Sequence, residues 1–161
     1  MSTAHLKVDG IVGESQHQGY AEHMDIMSYS MGVSNPPSLT GGGFSAGRPN
    51  ASDFSFMIAK GKSSTNLEKF CLMGTHISEA ILKLTKTVGE ATLTDFMIYT
   101  FTDCFISSVS DSGSEGSTDE YNSVSLAFSK VKVEYKEQKT AGGGLENAAS
   151  LEYDFKAIKQ G

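Results

Sequence analysis

Apolar and polar residues alternate with period two along much of this chain, and the alternation is longest between Ala91 and Lys139. There ATLTDFMIYTFTDCFISSVS and YNSVSLAFSKVKVEYKEQK flank DSGSEGSTDE, a stretch of Gly, Ser, Asp and Glu with no large apolar residue. Strand side chains leave the backbone on alternate faces, so the layout predicts a hairpin with a long connection. Both runs exceed the ~5–6 residues of an ordinary strand. The second run shows how. Val124, Leu126 and Phe128 alternate with Ser123, Ser125 and Ala127, and then the apolar set changes phase to Val131, Val133 and Tyr135. One uninterrupted strand cannot keep both sets on one face. Either a β-bulge near Ser129–Lys130 or a corner between two sheets is therefore expected, and both devices belong to closed or nearly closed barrels.

The same logic runs through the rest of the chain. His5 to Val8 is a short strand with Leu6 and Val8 on one side, followed by a turn over residues 10–15 and a polar loop over 16–20. Glu22 to Val33 is the next strand. It too changes phase, from Met24 and Ile26 to Met27, Tyr29, Met31 and Val33, which marks a second corner. Residues 34–50, SNPPSLTGGGFSAGRPN, combine prolines and glycines that leave no room for a helix or a central strand. Asp53 to Ala59 is a strand with Phe54, Phe56 and Ile58 on one face.

One helix is expected, over Asn66–Met73. Thr65 and Glu68 are read as a capping box and Gly74 as a left-handed stop, with Leu67, Phe70 and Cys71 as the apolar face. His76 opens a strand carrying Ala80, Leu82 and Leu84 on one face. Gly89 turns into the long hairpin. TAGGGLENAAS reads as a second loose loop, and Leu151, Tyr153, Phe155 and Ala157 as a closing strand. The fold class is mainly β: one domain over residues 1–161, a β-barrel or rolled sandwich of about nine strands with one short flanking α-helix.

Composition refines this picture. At 161 residues the chain is long enough for a core without staples. The net charge of −6 argues against a general nucleic-acid or anionic-membrane binder. MSTAHLKVDGIVGES has no charged segment followed by an apolar one, and no run approaches a membrane span. The expected location is the cytoplasm, without a signal peptide of the general export route. Cys71 and Cys104 make no disulfide framework and are read as reduced and structural.

The search for chemistry returns little. Gly41-Gly42-Gly43-Phe44-Ser45-Ala46 fits a dinucleotide pattern in letters only, because no helix follows to hold a pyrophosphate. His5, His17, His23 and His76 form no helical metal pair, and neither cysteine has a partner at metal spacing. Asp111, Glu115, Asp119 and Glu120 cluster around the hairpin loop without a calcium-loop pattern. No catalytic residue, metal or cofactor is expected. Ser107, Ser108, Ser110, Ser123 and Ser125 are too polar for a core and too weakly charged for an ordinary solvated face. They suit a polar wall that cradles varied cargo without gripping it.

FISSVS, the Gly/Ser/acid loop and NSVSLAFSKVKVEYKEQ resemble the haemolysin-coregulated protein (Hcp) family, the tube protein of bacterial type VI secretion. Gly13-Glu14-Ser15, MDIMSYSMG, the Gly-rich loop, Asp53–Phe56, Asn66-Leu67, Gly74–His76 and the strand from Ala80 match in order along nearly the whole chain. The resemblance implies a homohexameric ring stacked into a tube inside a contractile sheath. It also implies baseplate, spike and effectors as partners, and secretion by the type VI machine. It implies no enzyme, nucleic acid or membrane insertion. Leu39, Gly41, Gly42, Gly43, Phe44 and Arg48, with residues 111–119 as a second loop, are assigned to ring stacking. The serine wall is assigned to the lumen. The rival reading is a small-ligand-binding β-barrel.

Overall fold

A computed structural model describes residues 2–88, 92–116, 120–138, 145–157 and 159–160. The turn expected at Gly89, the acid at Asp119 and residues 140–144 of the loop read over 140–150 lie outside them. In chain order the strands are β1 (Ser2–Val8), β2 (Met24–Ile26), β3 (Ser28–Ser30), β4 (Val33–Ser34), β5 (Ser38–Thr40), β6 (Gly43–Ser45), β7 (Asn50–Ala51) and β8 (Phe54–Ala59). The helix α1 (Ser64–Met73) follows, then β9 (Ile77–Val88), β10 (Thr92–Ser112), β11 (Tyr121–Gln138), β12 (Leu145–Asp154) and β13 (Lys159–Gln160).

The strands β2, β1, β9, β10, β11, β8 and β3 are hydrogen-bonded neighbours in that order. The two ends of this path, β2 and β3, are joined through a single residue, Met27, whose N–H donates to the Met57 carbonyl at 2.9 Å. The sheet is thereby rolled into a nearly closed barrel. The predicted corner in the second apolar run is this seam. Met24 and Ile26 pack on the core before it, and Met31 and the Tyr29 ring (6.2 Å from Phe54) after it.

The long hairpin carries the second corner. On β11 the phase changes at Ser129, as the alternation predicts. Its first half pairs with β8 (Leu126 opposite Phe54) and its second half with β12 (Lys130 opposite Asp154). The Ser129 carbonyl accepts the Phe155 N–H at 2.8 Å, where one partner replaces the other. The facing strand turns at the same level. Asp103, with φ 53°, is the one non-glycine residue with positive φ among those described. Thr102 pairs with Lys130 and Cys104 with Phe128 on either side of it. Because both strands shift phase together, their register survives the corner. A bulge at Ser107 follows, between Ile106 and Ser108.

The core is what the alternation predicts. Leu6, Val8, Met24, Phe54, Phe56, Ile58, Ala80, Leu82, Leu84, Phe101, Cys104, Ile106, Val124, Leu126 and Val131 are all buried. Phe101 is central: its ring lies 4.9 Å from Phe54 and 4.8 Å from Phe128. Both cysteines are free, and burial pushes the Cys104 thiol up to about 12. The helix packs on β10 and drives Leu67 into the core, with Phe70 and Cys71 against it. Gly74 is its left-handed cap with φ 60°.

Several expectations are corrected. The N-cap is Ser63, not Thr65; its backbone is already helical and its side chain makes no cap bond, so the capping box is not formed. The strand after the helix opens at Ile77, not His76, whose ring meets Asp103 at 3.1 Å. The barrel sheet holds nine strands, as expected, while β4 to β7 form two small two-stranded ribbons outside it, over a stretch read largely as loop. The closing strand β12 starts at Leu145, inside the segment read as loose.

Candidate functional site

Two surfaces stand out, one built by pairing and one by protrusion. The first is a serine face. On β8, Phe54, Phe56 and Ile58 point inward, so Ser55 and Met57 point outward. Register then lines up whole rows: Ser30, Ser55, Ser125 and Ser108 lie side by side on β3, β8, β11 and β10, with Ser28, Met57, Ser123 and Ser110 in the next row. Hydroxyls bond along and between strands. Ser55 and Ser125 Oγ are 3.2 Å apart, Ser107 Oγ donates to Asp53 Oδ2 at 2.7 Å, and Ser110 Oγ donates to the Ser123 carbonyl at 3.4 Å. The structure brings together the five serines singled out from sequence. It adds Ser28, Ser30 and Ser55, whose membership depends on long-range pairing. Their alternation with Tyr29, Phe54 and Phe56 was the available signal.

The second surface is the 33–51 arm. At its base β4 pairs with β7, Val33 opposite Ala51 and Ser34 opposite Asn50. Farther out β5 pairs with β6, Leu39 opposite Phe44, around Gly41-Gly42. Gly43 has φ 153°, and a side chain at Gly47 would strike the Pro36 carbonyl, its Cβ only 2.2 Å from that oxygen. The arm is thus a ribbon, and its glycines allow the turn and the close crossing. Leu39 is 73% exposed and Phe44 79%, so neither packs on its own domain. Arg48 lines a shallow pocket with Pro49, Asn50, Phe128 and Phe155 at the arm's base, away from Leu39 and Phe44.

The acidic loop is neutralised locally. Lys60 Nζ lies 3.7 Å from Asp111 and 3.9 Å from Glu120, and Asn122 Nδ2 donates to Asp111 at 2.6 Å. Bonds from Glu68, then Asn122, hold the Asp111 carboxyl below its usual range, while Glu68 beside it is raised. Gly13-Glu14-Ser15 also acquires a reason. A side chain at Gly13 would collide with the His23 carbonyl, Glu14 Oε1 accepts the Lys62 N–H at 3.2 Å, and the Ser15 N–H donates to the His23 carbonyl at 3.0 Å. That motif locks the loop before β2 onto the turn before α1.

The sequence pattern of the family described as Type VI secretion system effector, Hcp, matches residues 5–135. Protein hcp1 of Pseudomonas aeruginosa is 36% identical over 138 residues, 85% of either chain. This chain belongs to the Hcp family. Among solved structures, Hcp1 from Salmonella typhimurium superposes with a TM-score of 0.79 at 32% identity, covering 99% of this chain and 98% of that one. Hcp2 from the same organism gives 0.68 at 33% identity, with 98% of each chain covered. A type six secretion system protein with 21% identity shares the fold end to end, at a TM-score of 0.89. The chain is therefore a type VI secretion protein with the Hcp barrel, as the resemblance implies. No helix among the described residues is long and apolar enough to cross a membrane.

Proposed function

We propose that this chain is a structural subunit of the type VI inner tube. Six copies close head to tail into a ring with a central hole, and rings stack into a tube that a contracting sheath ejects behind a spike. A heterologous interface that closes forms a ring, and ring faces then carry a second, stacking contact. Family membership over most of the chain supports the tube role. The observation that carries the stacking assignment is the arm, whose Leu39–Phe44 pair has no cover among the described residues. An isolated two-stranded ribbon is marginal in water, so a neighbouring ring is the natural partner for these side chains. The serine rows serve as the lumen wall, offering hydrogen bonds to effectors without deep apolar pockets. The baseplate receives the first ring. The role is mechanical, with no bond made or broken.

Light scattering with negative-stain images of the same peak tests this. Six subunits in annular particles are expected, and Leu39→Ser with Phe44→Ser should keep rings while abolishing tubes. A monomer at high protein concentration and at every salt concentration tried would remove the tube role. Normal tube assembly by the double variant would remove the arm from stacking.

A further inference from the structure

Pairing of β1 with β2 puts His5 directly opposite Asp25. Both side chains leave the face opposite Leu6 and Met24, and partners across an antiparallel pair have Cβ atoms only ~4.5–5.5 Å apart. The loop between the two strands folds back over them. Its Tyr20 N–H donates to the His17 carbonyl at 3.0 Å, and the Tyr20 ring stacks on His5 at 4.2 Å. The Tyr20 hydroxyl donates to Asp95 Oδ1 at 2.5 Å, which fastens the loop to β10. His17 is thereby delivered to the strand pair. Among the described residues, this is the one place where three metal-ligating side chains converge, with their ligand atoms all within 4.8 Å of one another.

The separations suit a small cation. His5 Nε2 lies 3.5 Å from Asp25 Oδ1, and His17 Nδ1 lies 3.6 Å from it. Bonds of ~2.0–2.1 Å in a tetrahedral zinc site put ligand atoms roughly 3.3 Å apart. Two edges therefore nearly fit. The third, His5 Nε2 to His17 Nδ1, is 2.6 Å, a hydrogen bond that must open. The loop residue can do this, because His17 is 43% exposed whereas His5 is 0% exposed.

One further observation points to a ligand. His17 and Asp25 line a cavity of about 530 Å³ with Thr3, Tyr29 and Phe96. The cavity gives an ion a path in and leaves room for water beside it.

We propose that His5, His17 and Asp25 form a binding site for a divalent transition-metal ion of the zinc type, with water completing the coordination. Imidazole and carboxylate are the donor set such ions take. A bound ion would staple the 9–23 loop to β1 and β2, a role independent of ring stacking.

The test uses full-length, tag-free protein stripped with chelator and titrated with zinc chloride by calorimetry, then with cobalt(II) chloride by absorption. One ion per chain and the visible ligand-field bands of tetrahedral cobalt are expected. His17→Gln and Asp25→Asn should each weaken zinc binding at least about tenfold, a loss that even outer-shell changes produce at metal sites. His76→Gln, at the exposed pair with Asp103, should leave it unchanged. All three variants replace exposed side chains, and retained circular dichroism will establish that they fold. Absence of tetrahedral bands overturns the proposal. So does zinc affinity indifferent to His17 and Asp25, or equally sensitive to His76.

Discussion

The long hairpin and the 33–51 arm are both antiparallel ribbons, yet they divide their side chains differently. In β10 and β11 one face is sunk in the core, and the other carries the serine rows on the half that pairs with β8. In β5 and β6 the apolar pair Leu39–Phe44 faces solvent, and among the described residues no third strand adjoins either edge. The contrast teaches where each ribbon gets its order. The hairpin is held by its own fold, with β9 on one side and β8 and β12 on the other. Among the described residues the arm has its short ladder, the Ser38–Ser45 hydroxyl pair at 2.8 Å and its Val33–Ala51 base. What the chain does not supply, a neighbouring copy can.

The comparison breaks most heavily on the hairpin side. Phe101 is fully buried and sits among Phe54, Phe128 and Tyr99. Phe101→Ala removes a ring from a packed core and is expected to cost about 3–5 kcal/mol. Urea unfolding at fixed protein concentration measures it. A shift comparable to that of a surface substitution would mean that the hairpin core does not govern stability.

A middle-sized effect is expected at the corner. Asp103 holds a left-handed backbone, receives Ser129 Oγ at 3.4 Å and pairs with His76. Asp103→Gly loses those exposed contacts but keeps the conformation. Asp103→Val loses both, and the branched side chain adds roughly 1–2 kcal/mol of strain. Comparing the two variants cancels the shared loss of contacts. Equal stability would show that φ at this position does not set the corner.

Legibility in the sequence follows the range of the interactions. The corners at Met27 and Ser129 were readable because a phase change is local: Val124, Leu126 and Phe128 cannot share a straight strand's face with Val131 and Val133. The core followed from the same alternation. β12 was misread at its start because Glu146, Asn147, Ala148 and Ala149 carry no apolar alternation; pairing with β11 makes them strand. The β5–β6 ribbon was hidden by prolines and glycines, which mark its bends and crossing as well as they mark a loop. The capping box failed because Ser63 is already helical, so the helix starts one residue earlier than Thr65. Five of the eight serines of the face were legible, on β10 and β11. Ser28, Ser30 and Ser55 join it through pairings that no local spacing encodes. His5, His17 and Asp25 meet for the same kind of reason, one by cross-strand register and one by a returning loop.

The smallest expected effect on stability falls where the largest effect on assembly is proposed. Leu39→Ser with Phe44→Ser replaces two side chains that touch little within the chain, so the unfolding free energy should move by no more than about 0.5 kcal/mol per site. Among the described residues the internal cost is the loss of cross-strand contact between them, a few tenths to about 1 kcal/mol for such pairs. Measured in urea at fixed protein concentration, the double variant should therefore unfold close to the parent. A midpoint displaced as far as that of Phe101→Ala would make the arm part of the fold's own core. A near-parental midpoint together with lost tubes would separate the two ribbons cleanly: one that makes the subunit, and one that waits for the next.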